Sequence, residues 1–514
     1  MSQQINNKLI LKNSVMLYIR MGLVMLVSLY TSRILLQALG VEDYGIYNIV
    51  GGVVIMFSFF NNILTVAIRR FLSIAIAKGD SYLLKKTFKS STRAVMLIAL
   101  VISILLETLG LWFVNYKLNI PDGRIFAANC VFQLSVITFI LNLNALPYNA
   151  AIVSFEKMNI YAYIGIVEVL LKLVFTLCIL YIGGIDRLIL YAVLFCILSN
   201  FVRYIDIWYC KKNILKVSKT ISVSKEDILP LFKYSAWAVL GTFAFMLASQ
   251  GVNIIMNITF GVVLNAAIGI SQQISNAVNQ LGGNFQTAFN PQLTKSYAVE
   301  GMNNKTYLFT VKVTKITILL VAFLCIPLIL NISEILNLWL VDVPLYTSSI
   351  CIIGILYVAI DLISTPLYIL IYAEGNVKQY SIVLALIQFV YVLFFFIFCK
   401  LGASPAQALL LNVICAIALH LGRLFMAKKM IKLNIGKYTL DTLKPFVIPI
   451  IGIVALYNVL FSQNYNSFLN LLFKIAMLEL ILALLFWVFS FGKEEKMFVK
   501  TIIKNRIYGF KRNH

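Results

Sequence analysis

The sequence predicts an all-α integral membrane protein of about 14 transmembrane helices, and three observations carry that prediction. Of the 514 residues, 61% are hydrophobic and only 12% charged, whereas soluble chains are about a quarter charged. Apolar runs of spanning length recur along the whole chain, and fourteen spans of about 20–22 residues would occupy about 60% of it. The basic residues fall in alternate connections, as expected when the loops on one side of a membrane hold positive charge in the cytoplasm. A soluble enzyme, a disulfide scaffold and a disordered chain are excluded.

The runs lie at 13–37, 44–68, 94–115, 125–146, 159–182, 188–209, 234–257, 262–289, 309–331, 346–372, 379–399, 405–427, 445–462 and 467–491. Several contain or touch Pro or paired Gly, including Gly51-Gly52, Pro147, Gly282-Gly283, Pro327 and Pro366. Such breaks are tolerated where neighbouring helices re-satisfy the freed backbone groups. The polar opening MSQQINNKLILKN leads into the first run with no small-residue cleavage site, so that run is expected to be a retained span.

With the N-terminus inside, cytoplasmic segments hold 35 of the 43 Lys and Arg. The opposite side holds Lys117, Arg124, Arg187 and Lys400, while Arg20, Arg33, Lys172 and Lys474 fall within spans. This asymmetry predicts both termini in the cytoplasm. The basic loop after the sixth run reads as a linker. The expected division is a six-helix bundle over 1–210, a cytoplasmic linker over 211–230, a second six-helix bundle over 231–428, an extra helix pair over 429–492 and a basic tail over 493–514. The tail interleaves basic and apolar residues, a pattern suited to anionic membrane lipids. The formal charge of +23 is spread between apolar runs rather than gathered on a folded domain, which argues against nucleic acid.

Ionisable residues inside spans cost about 2.5–3.5 kcal/mol each at the bilayer centre and need a reason. Arg20 shares a face with Asn13 and Thr31, and both a cavity-facing and a snorkelling reading stand for it. Arg33 lies near the outer end of its span, within snorkelling reach. Arg69 and Arg70 close the second run, Arg69 on a face with Asn48 and Asn62. They read either as ordinary positive anchors or as an anion clamp, because guanidinium forks match phosphate oxygens. Glu168 and Lys172 are spaced to neutralise each other at i,i+4. Asp361, beside Ser364, Thr365 and Pro366, has no local partner and is a candidate for ion coupling. Glu107 and Glu479 read as neutral or as paired across helices.

Amides form the clearest polar pattern. Gln250, Asn253 and Asn257 share a face of the seventh run, and Asn265, Gln272, Asn276, Asn279, Gln280 and Asn290 share a face of the eighth. Interhelical hydrogen bonding explains two or three such residues, and a hydrated, sugar-compatible cavity accounts better for nine. The sequence has no phosphate-binding glycine loop of the Walker type. It has only two histidines, His420 and His514, and eight cysteines without a C-x-x-C pair. No metal, no cofactor and no catalytic residue is expected, and with no long outer loop the chain does not read as an enzyme.

The stretch TSRILLQALGVEDYGIYNIVGG (Thr31–Gly52), followed by NNILTVAIRRFLSIAIAKGD (Asn61–Asp80), resembles the Wzx-type polysaccharide flippases, relatives of the MATE exporters and of the lipid II flippase. The resemblance implies transport of an undecaprenyl-diphosphate-linked oligosaccharide across the bacterial cytoplasmic membrane, for O-antigen, capsule or exopolysaccharide synthesis. It implies alternating access by two bundles and a supply of substrate to polysaccharide polymerase machinery. It also places Arg20, Arg69 and Arg70 as the diphosphate-holding arginines. A MATE-type cation or drug antiporter is the alternative, and would need an acid such as Asp361 or Glu168 inside a bundle.

Overall fold

The computed structural model describes residues 7–492 except 156, 183, 215–222, 288, 376 and 461–467, together with Lys496. Part of the predicted linker and nearly all of the predicted tail therefore lie outside the described residues. Among the described residues every regular element is helical. The first half contains α1 (Asn7–Ile55), α2 (Phe59–Ala77), α3 (Ser81–Leu105), α4 (Leu111–Tyr116), α5 (Ile125–Ser154), α6 (Met158–Tyr181), α7 (Arg187–Asn213) and α8 (Lys225–Phe260). The second contains α9 (Val262–Thr287), α10 (Asn290–Glu300), α11 (Asn304–Leu330), α12 (Ile332–Trp339), α13 (Thr347–Ile363), α14 (Thr365–Glu374), α15 (Val377–Lys400), α16 (Pro405–Ile431), α17 (Ile435–Leu460) and α18 (Phe468–Phe489).

Among the described residues eleven helical stretches are long and apolar enough to cross a membrane, or up to 12 when the bent pair α13–α14 counts as one span. Two features separate this count from the expected 14. Met21–Ile76 counts once, yet 56 residues at 1.5 Å each extend about 84 Å, well over twice a hydrocarbon core of roughly 30 Å. Gly40 breaks α1 with φ 76° and ψ 172°, a conformation that side-chain-bearing residues rarely adopt. Helix α9 has spanning length, but its amides keep it out of the apolar count. Pro147 and Pro327 sit inside continuous helices. The expected break at Pro366 is present: α13 and α14 meet at Ser364 with a bend of 43°.

The chain forms two compact units. One comprises Met1–Gln273, Leu340–Ile350 and Ser381–Leu411. Helix α5 is its hub, packed on α1, α2, α3, α6 and α7. Ala127, Ala128, Ala150 and Ala151 are buried along α5, and such small residues let helices approach closely where lipid removes the ordinary hydrophobic drive. Ile46, Ile49, Ile68, Leu72, Ile102 and Phe132 fill the spaces between these helices. Gly110, at the end of a π-helical turn joining α3 to α4, lies against the Phe132 ring, and an added Cβ would come within 2.9 Å of it.

The other unit comprises Ile274–Trp339, Cys351–Tyr380 and Asn412–His514. Its α11, α17 and α18 share a core of Ile318, Ala322, Phe446, Ile453, Leu478, Leu482 and Phe486. A polar seam joins α11 to α17, where the Tyr307 hydroxyl donates to Asp441 at 2.7 Å and Thr314 pairs with the Tyr438 hydroxyl at 2.9 Å. On α18, Lys474 is 2% exposed and pairs with Glu334 of α12 at 2.7 Å.

Candidate functional site

The predicted amide face divides into two parts. Gly261 ends α8 at φ 85° and turns the chain directly into α9, so that Asn257 and Asn265 face each other across a tight hairpin. Asn257 Nδ2 donates to Asn265 Oδ1 at 2.8 Å, and Asn265 Nδ2 donates to Asn253 Oδ1 at 2.7 Å and to its carbonyl at 2.9 Å. Asn257 Oδ1 also accepts the backbone N–H of Asn119, in the connection before α5, at 2.8 Å. Gln250, Asn253, Asn257 and Asn265 are all buried. For Asn253, Asn257 and Asn265 interhelical hydrogen bonding takes the place of the expected hydrated cavity, because each of these buried amides finds a partner in the hairpin.

Close packing surrounds this network. A Cβ on Gly45 of α1 would lie 2.1 Å from the Val262 carbonyl oxygen, and one on Gly269 would lie 2.6 Å from the Asn48 amide. Gly52 makes room for Gln250 and Asn253 in the same way. Farther along α9, Gln272, Asn276, Asn279 and Gln280 are exposed. At 100° per residue they lie within about 100° of one another. Four adjacent amides on a spanning-length helix suit contact with water or polar ligand rather than lipid.

Of the predicted arginines, the side chain of Arg20 lies outside the described residues, as does that of Asn62. Arg70 is exposed and engaged with neighbours. Arg69 is partly buried on α2, and its Nε is buried without a hydrogen-bond partner. No carboxylate pairs with Arg69 among the described residues. It lies nine residues before Lys78, the C-cap of α2, or about 13 Å along the helix.

The predicted acids are paired differently from the sequence expectation. Glu168 takes the Arg203 guanidinium of α7 at 3.0 and 3.1 Å, not Lys172. Arg203 also holds Asp206 at 2.9 Å. Lys172 lies over the Phe195 ring, 5.1 Å from its centroid. A guanidinium presented by a facing helix offers two donors to the carboxylate, which the neighbouring ammonium on the same helix does not. Asp361 is also partnered: Arg423 of α16 reaches its Oδ1 at 2.7 Å. Arg203 and Arg423 stand at the ends of predicted spans, where composition alone makes them ordinary cytoplasmic anchors. Their roles were recoverable only from the facing acids. Glu107 accepts a hydrogen bond from Gln133 at 2.9 Å.

One ion-pair cluster ties connections together. Arg124, at the start of α5, holds Asp43 of α1 with two donors at 2.7 and 2.6 Å and also holds Asp186 before α7. The Asp186 carboxyl is kept below the usual range by the Arg124 donors and by the backbone N–H groups of Ile189 and Leu188 at the start of α7. Among the described residues no group of three or more His, Cys, Asp or Glu side chains could hold a metal ion.

No protein-family profile matches the chain, and no curated protein matches it by sequence. Solved structures do match its fold. The lipid II flippase MurJ in an inward closed conformation aligns with a TM-score of 0.67 at 17% identity, covering 93% of this chain and 99% of that one. A multidrug resistance MATE family transporter of the MOP superfamily, inward-facing, aligns at 0.58 with 16% identity, covering 80% and 94%. An outward-facing structure described in the same terms aligns at 0.56 with 16% identity, covering 83% and 96%. The chain is a multi-pass helical membrane protein that shares its fold with the lipid II flippase MurJ and with these MATE family structures.

Proposed function

We propose that this protein flips an undecaprenyl-diphosphate-linked oligosaccharide across the bacterial cytoplasmic membrane by alternating access and delivers it to polysaccharide polymerase machinery. The proposal includes 14 spans with both termini in the cytoplasm, reached when the segment broken at Gly40 counts as two spans, α13–α14 as one, and α9 is added. It retains the division into two six-helix bundles and a terminal pair.

The observation that carries the reading is the state of the charges. Arg69 has a buried Nε without a partner and, among the described residues, no paired carboxylate, so this guanidinium is left to bind an anion, and a diphosphate fits its fork. Glu168 and Asp361, the acids a cation antiporter would use, are occupied by Arg203 and Arg423. In this reading Arg20 and Arg70 assist Arg69, the exposed amides of α9 meet sugar hydroxyls, and the amide network around Asn257 seals the outer side.

In a deletion strain, mass spectrometry of the lipid-linked oligosaccharide pool is expected to show accumulated diphosphate-linked repeat units and loss of surface polymer, both reversed by the intact gene. An unchanged pool with new sensitivity to cationic dyes would favour the antiporter. Arg69→Ala is expected to abolish complementation at unchanged expression and Arg69→Lys to retain part of it. Full activity of the Arg69→Ala/Arg70→Ala protein would reduce both residues to membrane anchors.

A further inference from the structure

Resting on the flippase reading, a second ligand contact is argued at the bend between α13 and α14, where the sequence offered Asp361 for ion coupling. Asp361 lies one turn before the bend, and Ser364, at the bend itself, is held by His420 Nδ1 at 2.6 Å. The side chain of Asp361 is 42% exposed even though its Oδ1 is bound by Arg423. An ionised side chain facing lipid there would carry a severe penalty, so the open side of Asp361 faces a polar space.

Aromatic rings line this ion pair. Arg423 is 9% exposed and lies 6.0 Å from the centre of the Tyr368 ring. Its Nε is buried without a partner. Tyr372 packs edge-on against both Tyr368 and Tyr380, at 5.9 and 5.7 Å, and is half exposed.

These chemistries select a ligand class. A free metal cation is disfavoured, because the guanidinium already neutralises the carboxylate and would repel a second positive charge. A simple anion would meet the exposed carboxylate. A neutral ligand with vicinal hydroxyls and an apolar face satisfies both parts: its hydroxyls bond to the open carboxylate oxygen and the guanidinium edge, and its C–H face lies on a tyrosine ring. We infer that Asp361, Arg423, Tyr368 and Tyr372 form a pyranose-binding subsite for one sugar of the transported head group.

The test compares two probes on purified full-length protein in nanodiscs: undecaprenyl diphosphate, and undecaprenyl diphosphate bearing the oligosaccharide extracted from the source cells. Tyr372→Ala changes a half-exposed ring and spares the buried ion pair, so it keeps the test independent of folding; Asp361→Asn is measured beside it, with thermal unfolding as a control. Both variants are expected to weaken binding of the sugar-bearing lipid about tenfold, comparable to losing one hydrogen bond to a charged group. Affinity for the bare lipid diphosphate should stay unchanged. Equal weakening of both probes, or of neither, overturns the subsite while the flippase reading stands. A changed sodium or pH dependence of transport with unchanged sugar affinity overturns it in favour of ion coupling. Wild-type protein that binds neither lipid removes the flippase reading and the subsite together.

Discussion

The two ends of the α8–α9 amide pattern use the same side chains in opposite ways. Near the hairpin at Gly261, Asn253, Asn257 and Asn265 are buried and spend their hydrogen bonds on one another. About three to five turns along α9, Gln272, Asn276, Asn279 and Gln280 are exposed. Residue type alone cannot separate these roles. The separation comes from helix distance: the glycines at 45, 52 and 269 bring α1 against α8 and α9 at the hairpin end, and the amides there are enclosed.

Three substitutions probe this contrast, in decreasing order of expected effect. Gly45→Ala places a Cβ where the Val262 carbonyl stands, and a backbone atom cannot move aside as a flexible side chain does. A loss of about 3 kcal/mol or more in stability is expected, at the upper end of overpacking costs. It would be read as a lowered Tm or as failure to purify a monodisperse protein, and an unchanged Tm would mean that α1 and α9 do not pack this tightly. Next, Asn257→Ala strips partners from Asn265 and from the Asn119 backbone, with an expected cost of about 1–3 kcal/mol. Asn276→Ala should stay within about 0.5 kcal/mol of wild type while reducing transport. Equal destabilisation by the two would erase the distinction between the closed and open amides.

The smallest effect concerns Asp186. Its carboxyl is held below the usual range, so its contribution is fully present above the unfolded value, about 3.9, and is lost as pH falls through the lower folded value. Wild type should therefore lose a stability increment in acid that Asp186→Asn never had, and their Tm difference should shrink as pH is lowered from 7 toward 3. A constant difference across that range would show that the Arg124 cluster does not depend on the Asp186 charge.

Much of the architecture was legible because membrane helices obey a strict rule: every backbone polar group must be satisfied within the segment, so apolar length and polar breaks mark the elements. The bend at Pro366 and the helical character of every run follow from that rule. Pairing did not follow from it. Asp361 lacks a partner within its own helix, and its counter-ion Arg423 lies 62 residues away in a position that charge counting assigns to a loop. Glu168 passed over the lysine one turn away for Arg203 on the next helix.

What the sequence by itself determined is therefore the solvent and the elements: a chain this apolar, with its charges alternating between runs, has to cross a membrane repeatedly as helices. Which polar side chains are closed against each other and which remain open was decided only by tertiary structure. An isolated helix specifies the face a residue lies on, whereas burial and ion pairing depend on what the neighbouring helix brings to that face.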